Sequence, residues 1–281
     1  MSRMLKRAGG AGTALAPSAL MQGDVVVLSQ LRVKLFADGA DLSSVAALAR
    51  DLPIKGFTTN PTLMRKAQVR DYRQFALEFL ALAQDRPVSF EVFSDDFAEM
   101  EQQAHEIASW GPQVYVKIPV MNAQGEFSES LIRRLSAAGV KMNVTAVFTL
   151  EQVQRVAECV SDETSSVISV FAGRIADTGR DPVPLMAEAV RILKPNPNAE
   201  LLWASPRELL NIFHADAVGC HIITVTSDVL AKLPFIGKDL SVFSLETVQM
   251  FRRDALQAGL SINLPQTVAA SARPLAQGAR R

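Results

Sequence analysis

The sequence predicts an α/β fold with a single (β/α)₈ (TIM) barrel, because strand-like and helix-like segments alternate eight times with helix-sized spacing. The length agrees, since such a barrel needs ~250 residues and the candidate barrel occupies residues 24–263. Polar or ionisable residues end nearly every predicted strand, where the chemistry of such barrels gathers. An open doubly wound sheet is the alternative. It would favour a glycine-rich phosphate loop after the first strand, where residues 37–40 read Ala-Asp-Gly-Ala.

The predicted strands are short apolar or β-branched runs that end at proline, glycine or a polar residue. In chain order they lie at 33–37, 56–61, 87–92, 114–119, 141–146, 167–171, 200–204 and 220–225. Capping residues and apolar periodicity predict helices at 41–50, 71–83, 95–110, 127–138, 149–160, 184–193, 206–214, 228–233 and 244–258. Asp41 or Ser43 is expected to cap the first helix and Asp95 the third.

Composition narrows the functional classes. Hydrophobic residues make up 48% of the chain and charged residues 21%, which indicates a sizeable core. Lys and Arg equal Asp and Glu at 29 each, so there is no basic field for nucleic acid and no polybasic patch for a membrane. Cys159 and Cys220 lack metal-ligand spacing and are expected to be buried thiols of a cytoplasmic protein.

Both ends of the chain are expected to lie outside the barrel. Residues 1–23 have a basic start but no strong apolar core, which predicts a disordered leader rather than a signal peptide, with Met21 as an alternative start. Residues 264–281 are assigned to a flexible C-terminal tail, because large apolar residues are scarce there.

Lys117 stands near the end of the predicted fourth strand. Apolar residues at 114, 116 and 118 predict a strand buried on both faces. Burial disfavours a charged ammonium, and the neutral amine is the nucleophile that Schiff-base chemistry on a carbonyl needs. Taken by themselves, residues 114–119 are better explained by a strand whose lysine places its ammonium in solvent at the strand end.

The other predicted strand ends change that assessment. They are Asp38, Thr58 to Asn60, Glu91, Asn143, Thr145, Ser169, Ser205, Arg207 and Thr224. Each has a simple structural explanation, such as a helix cap for Asp38. Together they place a lysine, two carboxylates and several hydroxyls or amides around one barrel mouth, which predicts an active site.

Six segments carry a resemblance to a known family. Residues 56–64, Gly-Phe-Thr-Thr-Asn-Pro-Thr-Leu-Met, resemble the G-x-T-T-N-P-[ST] signature of transaldolases, and residues 116–119, Val-Lys-Ile-Pro, resemble the strand of their Schiff-base lysine. Four further segments, at 36–38, 143–145, 169–174 and 204–207, resemble family segments in the same order. The resemblance covers about 36–226 and identifies the chain as a member of the transaldolase family.

The resemblance implies four catalytic residues. Lys117 would attack the carbonyl of the donor ketose to form an imine, whose protonated form is an electron sink for cleaving the neighbouring C–C bond. Asp38 would be the acid/base that takes the proton of the C4 hydroxyl. Glu91 and Thr145 would position and activate the water that forms and breaks the imine.

It also implies a substrate-binding set of Thr58, Asn60, Asn143, Ser169, Phe171, Arg174, Ser205 and Arg207. The two asparagines would hold donor hydroxyls, and Ser169 would line the same pocket. The last three residues resemble the family's phosphate site, and a two-pronged guanidinium suits a phosphate dianion. For either arginine alone, a surface salt bridge is the simpler explanation.

Two positions bear on the reaction type. Family members that act as aldolases on free dihydroxyacetone tend to carry Gln where Glu91 stands and Tyr where Phe171 stands. We therefore expect transfer of a dihydroxyacetone unit from a ketose phosphate to an aldose phosphate. Aldol cleavage of the fructose-6-phosphate aldolase kind, or a biosynthetic transaldolase for an unusual sugar phosphate, are the alternatives. Pro206 stands where many members have Phe, which bears on the acceptor.

Two rival functions are less well supported. A metal-dependent barrel enzyme would want His or carboxylate ligands at several strand ends, but His105 and His214 fall in predicted helices. A non-catalytic module for sugar phosphates has no need for Lys117, Asp38 and Glu91 together. We therefore expect no metal or cofactor, sugar phosphates as substrates, and neither nucleic acid nor membrane as partner. A homo-oligomer is left open.

Overall fold

The structure, a computed structural model, describes Leu28 and residues 30–262 of the 281-residue chain. Within that part, eight parallel strands close into a barrel in sequence order. They are β1 Lys34–Asp38, β2 Gly56–Thr58, β3 Val88–Glu91, β4 Val114–Pro119, β5 Met142–Val147, β6 Ser166–Val170, β7 Ala199–Trp203 and β8 Ile222–Thr226. Every residue of β1 pairs with one of β8, which confirms the predicted barrel and excludes an open sheet.

Helices return the chain between strands. They are α1 Leu42–Asp51, α2 Pro61–Lys66, α3 Tyr72–Ala83, α4 Phe97–Ala108, α5 Glu129–Ala137, α6 Leu150–Ala157, α7 Ala172–Ala176, α8 Val183–Leu193, α9 Leu210–Ala217, α10 Ser227–Leu230 and α11 Leu240–Gln257. The sequence does not predict α2 and α7, because 6 and 5 residues are too few to show a helical period.

Capping side chains decide where helices begin. Asp41 accepts a hydrogen bond from the backbone N–H of Ser44 at 2.9 Å, which makes it the cap of α1 in preference to Ser43. The prediction that Asp95 caps α4 is wrong by one residue. Asp96 is the cap, and the carboxylate of Asp95 instead accepts from a backbone N–H in the loop after β4.

A small apolar cluster fills the inside of the barrel. It consists of Phe36, Val167, Leu202, Ala204 and Ile222. A Cβ at Gly56 would lie 2.4 Å from the ring of Phe36, so any larger residue at position 56 would clash with this ring. The cluster makes the barrel a packed core, and the polar residues therefore collect at its open end.

Contacts divide the chain into two compact units, one ending at Ile236 and one beginning at Gly237. All eight strands belong to the first unit, and α11 belongs to the second. Cys159 and Cys220 are free and buried, as predicted. No helix in the described ranges is long and apolar enough to cross a membrane. The expected leader at 1–23 and tail at 264–281 lie outside the described residues.

His221 joins the bases of β7 and β8. Its Nδ1 accepts a hydrogen bond from the backbone N–H of Leu201 at 3.0 Å, which requires this nitrogen to be unprotonated. Burial lowers the pKa of His221; the charge of Glu200 opposes this shift and that of Lys34 adds to it. The unfolded chain therefore takes up a proton before the folded one as the pH falls, and stability decreases below the ordinary histidine pKa.

We expect the free energy of unfolding to fall between about pH 7.5 and about pH 5.5 more steeply in wild type than in His221→Asn. Asn keeps an acceptor at the δ position but does not titrate. Denaturant unfolding at several pH values measures the difference. His105→Asn, at an exposed position of α4, is the matched control and should keep the wild-type pH dependence. Equal pH dependence in wild type and His221→Asn would contradict the assignment.

Candidate active site

The carboxyl ends of the strands surround a cavity of about 380 Å³. Ten of the twelve predicted site residues line it: Asp38, Thr58, Asn60, Glu91, Lys117, Thr145, Ser169, Phe171, Arg174 and Ser205. Asn143 lies just behind this lining and is hydrogen-bonded to Ser169, which lines the cavity. The guanidinium of Arg207 instead donates to the carboxylate of Asp177. The structure therefore brings most of the predicted set together.

Lys117 is the buried cation of the cavity. Its side chain is 8% exposed, and its Nζ donates a hydrogen bond to the backbone carbonyl of Thr59 at 2.7 Å. The same Nζ lies 3.4 Å from Oε1 of Glu91. The position at the end of the fourth strand is as predicted, and the simpler expectation of an ammonium that reaches solvent is wrong.

Asp38 is held by two donors across the mouth of the barrel. Oγ1 of Thr58 donates to one carboxylate oxygen at 2.7 Å, and Nδ2 of Asn60 donates to the other at 3.3 Å. Thr224 extends the chain, with its hydroxyl 2.5 Å from that of Thr58. Burial raises the pKa of Asp38 above its usual range, opposed by the charge of Lys117 and by these hydrogen bonds. A raised pKa suits a carboxyl that exchanges protons.

Asn60 has a second task at the start of α2. Its Oδ1 accepts from the N–H of Leu63 at 3.0 Å, so the same side chain caps the helix and donates to Asp38. Pro61 follows as the first helical residue, where its missing N–H costs nothing. The Asn-Pro pair thus ends β2 abruptly and fixes the amide at the cavity edge.

Glu91 is the second buried carboxylate. Its side chain is 14% exposed, and its Oε2 is buried without a hydrogen-bond partner among the described residues. Burial raises its pKa, the ammonium of Lys117 opposes the shift, and the negative charge of Asp38 adds to it. An unpaired buried carboxylate oxygen calls for a donor, and a water or a substrate hydroxyl in the cavity could provide one.

Behind the lining, Asn143 joins neighbouring strands. Its Nδ2 donates to Oγ of Ser89 at 3.0 Å, and its Oδ1 accepts from Oγ of Ser169 at 2.6 Å. All three side chains are buried. The amide is therefore locked between β3 and β6, and its position is set before any ligand arrives.

A bulge in β5 lies next to Thr145. The β5–β6 register shifts between Val144 and Val147, and Ala146 has a φ of 60°. Bulges next to active sites re-aim a side chain relative to the regular strand. Thr145 is buried and lines the cavity.

The backbones after β6 and β7 approach each other closely. A Cβ at Gly173 would lie 1.5 Å from the carbonyl oxygen of Ser205, so no other residue fits there without a backbone shift. Ser205 itself has a φ of 57°, in the left-handed region. This approach brings Arg174 and Ser205 to the same cavity wall.

The two predicted phosphate-site arginines differ in their surroundings. Arg174 lines the cavity, with its guanidinium carbon 5.1 Å from the centre of the Phe171 ring. Arg207 does not line the cavity. Its Nε donates to Oδ1 of Asp177 at 3.0 Å, and its Nη2 pairs with the other oxygen of that carboxylate. The salt bridge considered from the sequence is thus present for Arg207.

Sequence reasoning did not assign roles to four residues that the structure connects to the site. These are Tyr72, Ser89, Asp177 and Thr224. Ser89 lies two residues before Glu91, so strand alternation signals that both face the barrel interior. Thr224 was already expected at the barrel mouth as the end of the eighth strand, whereas Tyr72 and Asp177 are recognisable only when the tertiary contacts are known.

Comparisons with known proteins identify the family. A model of the Transaldolase/Fructose-6-phosphate aldolase family matches residues 35–270, most of the chain. The chain belongs to this family. Among its curated relatives, a "Probable transaldolase" of Dehalococcoides mccartyi is 34% identical over 202 residues, covering 72% of this chain and 90% of the relative. A "Probable transaldolase" of Streptococcus agalactiae is 33% identical over 215 residues, covering 75% and 95%.

Solved structures are similar in fold alone. A Burkholderia cenocepacia protein described as a "putative lyase/mutase" has a TM-score of 0.52 at 14% identity, covering 88% of this chain and 94% of its own. Family membership supports an enzyme of the aldolase or transaldolase type. The residue roles and the substrates are matters for a proposal.

Proposed function

We propose that this member of the transaldolase/fructose-6-phosphate aldolase family transfers a dihydroxyacetone unit from a ketose phosphate to an aldose phosphate through a Schiff base on Lys117. The observation that carries the proposal is the buried Nζ of Lys117, 3.4 Å from Glu91, in a cavity that Asp38 also lines. An amine that reacts with a carbonyl needs one group to move protons at the substrate and another to manage water. The two carboxylates fit these tasks.

In the first step, Lys117 passes one ammonium proton to the carboxylate of Glu91, and its neutral amine adds to the C2 carbonyl of the donor. Return of that proton and loss of water give the protonated imine. The carbonyl of Thr59 and the carboxylate of Glu91 hold Nζ toward the cavity until the donor arrives. Glu91 and Thr145 take the role of positioning the water that leaves here and returns at the end. The unpaired Oε2 of Glu91 is an acceptor available for that water.

In the second step, Asp38 removes the proton of the C4 hydroxyl, the C3–C4 bond breaks, and its electrons flow into the protonated imine. The first product leaves as an aldehyde, and an enamine of three carbons remains on Lys117. Thr58 and Asn60 keep the carboxylate of Asp38 in place for this transfer. Asn60 and Ser169 line the cavity and are assigned to the hydroxyls of the three-carbon fragment, and Asn143 supports Ser169 in this role from behind the lining.

Addition to an acceptor aldehyde then reverses these steps. Arg174 and Ser205 share the cavity wall and are assigned to the phosphate. Arg207, two residues after Ser205 in the chain, is assigned to it as well. Binding through Arg207 would exchange the carboxylate of Asp177 for phosphate oxygens, since this carboxylate occupies its Nε and Nη2. Guanidinium groups bind both anions in the same bidentate manner.

The direct test is reductive trapping. Borohydride reduction in the presence of fructose 6-phosphate should attach a three-carbon or six-carbon adduct to the peptide that contains Lys117, as read by mass spectrometry. Lys117→Arg should abolish the adduct. Lys141→Arg, at the residue just before β5, is the matched control and should keep it. An adduct on another lysine, or none in wild type, would refute the Schiff-base assignment.

Arg207→Ala should raise KM for phosphorylated donors about tenfold, because a charge-assisted contact to the phosphate is lost. Trapping with free dihydroxyacetone should change less than about twofold, because that substrate has no phosphate. Arg180→Ala removes another exposed arginine nearby and should leave both values unchanged. Equal losses on phosphorylated and unphosphorylated substrates would contradict the phosphate assignment.

Phe171 bears on transfer against simple aldol cleavage. Its ring lines the cavity and gives an attacking water no hydroxyl, so the enamine should persist until an aldehyde arrives. With fructose 6-phosphate alone, turnover should be slow, and erythrose 4-phosphate should accelerate formation of sedoheptulose 7-phosphate. Phe171→Tyr should increase release of free dihydroxyacetone at least severalfold, about 1 kcal/mol of barrier.

A coupled assay of both products, with and without acceptor, measures this balance. Phe148→Tyr is the matched control, because the centre of its ring lies 5.6 Å from that of Phe171 but the residue does not line the cavity. If wild type releases dihydroxyacetone as fast without acceptor as it transfers with one, the protein is an aldolase of the fructose-6-phosphate type. A biosynthetic transaldolase for another sugar phosphate would trap the donor but reject erythrose 4-phosphate.

A further inference from the structure

At Glu91, strand β3 keeps β4 as a neighbour on one side but loses β2 on the other. The N–H of Phe57 donates to the carbonyl of Pro87 at 2.8 Å, and the N–H of Thr59 donates to that of Ser89 at 3.2 Å. In a parallel ladder the next bond would run from the N–H of Glu91 to the carbonyl of Thr59. The carbonyl of Thr59 instead accepts a hydrogen bond from the ammonium of Lys117 at 2.7 Å.

The carbonyl of Glu91 loses its ladder partner for a related reason. Beyond Thr59 the chain turns into α2, with Asn60 as the cap and Pro61 as the first helical residue. Proline has no N–H to donate, so β2 cannot continue the ladder here. Both backbone groups of a catalytic candidate would be unsatisfied beside a cavity wall, which is costly.

The hydroxyl of Tyr72, the first residue of α3, meets both needs. It accepts from the N–H of Glu91 at 2.8 Å and donates to the carbonyl of Glu91 at 3.1 Å. A phenol can do both, because it has one proton and two lone pairs. Burial raises the pKa of Tyr72, and the charge of Glu91 raises it further, so the donated proton remains in place.

Packing fixes the ring that carries this hydroxyl. The Tyr72 ring has Phe93 at 4.7 Å, Trp110 at 5.2 Å and Phe90 at 6.1 Å between ring centres. Two of these contacts are edge-to-face, the favourable geometry for aromatic pairs. Phe90 lies on β3, Phe93 in the loop after β3, and Trp110 after α4. These rings therefore fix the position of the Tyr72 hydroxyl without any ligand.

We propose that Tyr72 is a positioning residue, whose hydroxyl replaces strand β2 as the partner of the Glu91 backbone and so serves Lys117 in two ways. It fixes the direction in which the Glu91 carboxylate leaves β3, toward Nζ of Lys117. It also leaves the carbonyl of Thr59 free to accept that ammonium. Tyr72 is not among the residues that line the cavity, so it acts through Glu91.

Removal of the hydroxyl makes two groups compete for one acceptor. Without the Tyr72 hydroxyl, the acceptor available to the Glu91 N–H in the ladder is the carbonyl of Thr59. Lys117 already donates to that carbonyl, so the two donors compete for it. The steps that need both Lys117 and Glu91, formation and hydrolysis of the imine, should slow. Donor binding through the rest of the cavity should not change. This inference rests on the proposed Schiff-base function.

The experiment is a double-mutant cycle on the full chain. Tyr72→Phe keeps the ring and should slow imine trapping with fructose 6-phosphate about tenfold, with KM unchanged within about twofold. In a Glu91→Gln background the same substitution should cost clearly less than in wild type, because the carboxylate it positions is gone and only the competition for the Thr59 carbonyl remains. Tyr115→Phe removes the other tyrosine hydroxyl, whose partner Ser165 lies at the base of the barrel, and should leave trapping unchanged.

Several outcomes would overturn the proposal. They are wild-type trapping rates in Tyr72→Phe, a full multiplicative loss in the double variant, or an equal loss in Tyr115→Phe. A wild type that forms no Lys117 adduct would refute the proposed function instead. In that case, or if Tyr72→Phe does not fold, amide hydrogen exchange of the wild type decides. The Glu91 N–H should then be protected as strongly as that of Thr59, and rapid exchange would refute its bond to Tyr72.

Discussion

The ammonium of Lys117 is a charge enclosed at the end of a buried strand, and the surrounding structure is arranged around its needs. A buried cation is tolerated only with polar partners, here the carbonyl of Thr59 at 2.7 Å and the carboxylate of Glu91 at 3.4 Å. The carbonyl of Thr59 is available because β2 ends before it can pair with Glu91. In our proposal, the carboxylate of Glu91 is directed to Lys117 because the Tyr72 hydroxyl holds the Glu91 backbone at the end of β3. The same burial raises the pKa values of Asp38 and Glu91, so the desolvated space beside Lys117 prepares two carboxyls for proton exchange.

Closure of the barrel gives this arrangement its precision. Thr58 and Thr224 are 166 positions apart in the chain, yet their hydroxyls meet because β1 pairs with both β2 and β8. Glycines at two positions permit approaches that a Cβ would prevent, Gly56 beside the Phe36 ring and Gly173 against the Ser205 carbonyl. The packed interior supports the mouth from below, so side chains at the strand ends are held by rigid elements rather than by loops.

The polar groups of the mouth fall into two zones with different electrostatics. Deep in the cavity, charges are few, desolvated and held by short hydrogen bonds, which suits bond making at a carbonyl. Toward the rim, Arg207 and Asp177 form a half-exposed pair that solvent screens, so its partners can be exchanged at low cost. Arg174 lies between these zones, against the face of Phe171. A substrate with a carbonyl at one end and a phosphate at the other fits this gradient.

The alternation of strand and helix and the converging strand ends follow from the sequence itself, because periodicity is a local property and a parallel barrel brings all strand ends to one face. The inward Lys117 could be predicted only from the whole set of strand ends and the family resemblance, since its own segment favoured an ammonium in solvent. The short helices α2 and α7 have too few residues for a periodic signal, and the cap of α4 at Asp96 differs by one residue from the expected Asp95 because two adjacent aspartates are locally equivalent. The partners of Glu91 and Arg207 could not be predicted in this way. Tyr72 meets the Glu91 backbone, and Asp177 occupies Arg207, only through contacts between separate elements. Tertiary structure alone decided those pairings. A hydrogen bond depends on the distance and angle between two groups in space, and local sequence patterns do not give these for residues on separate elements.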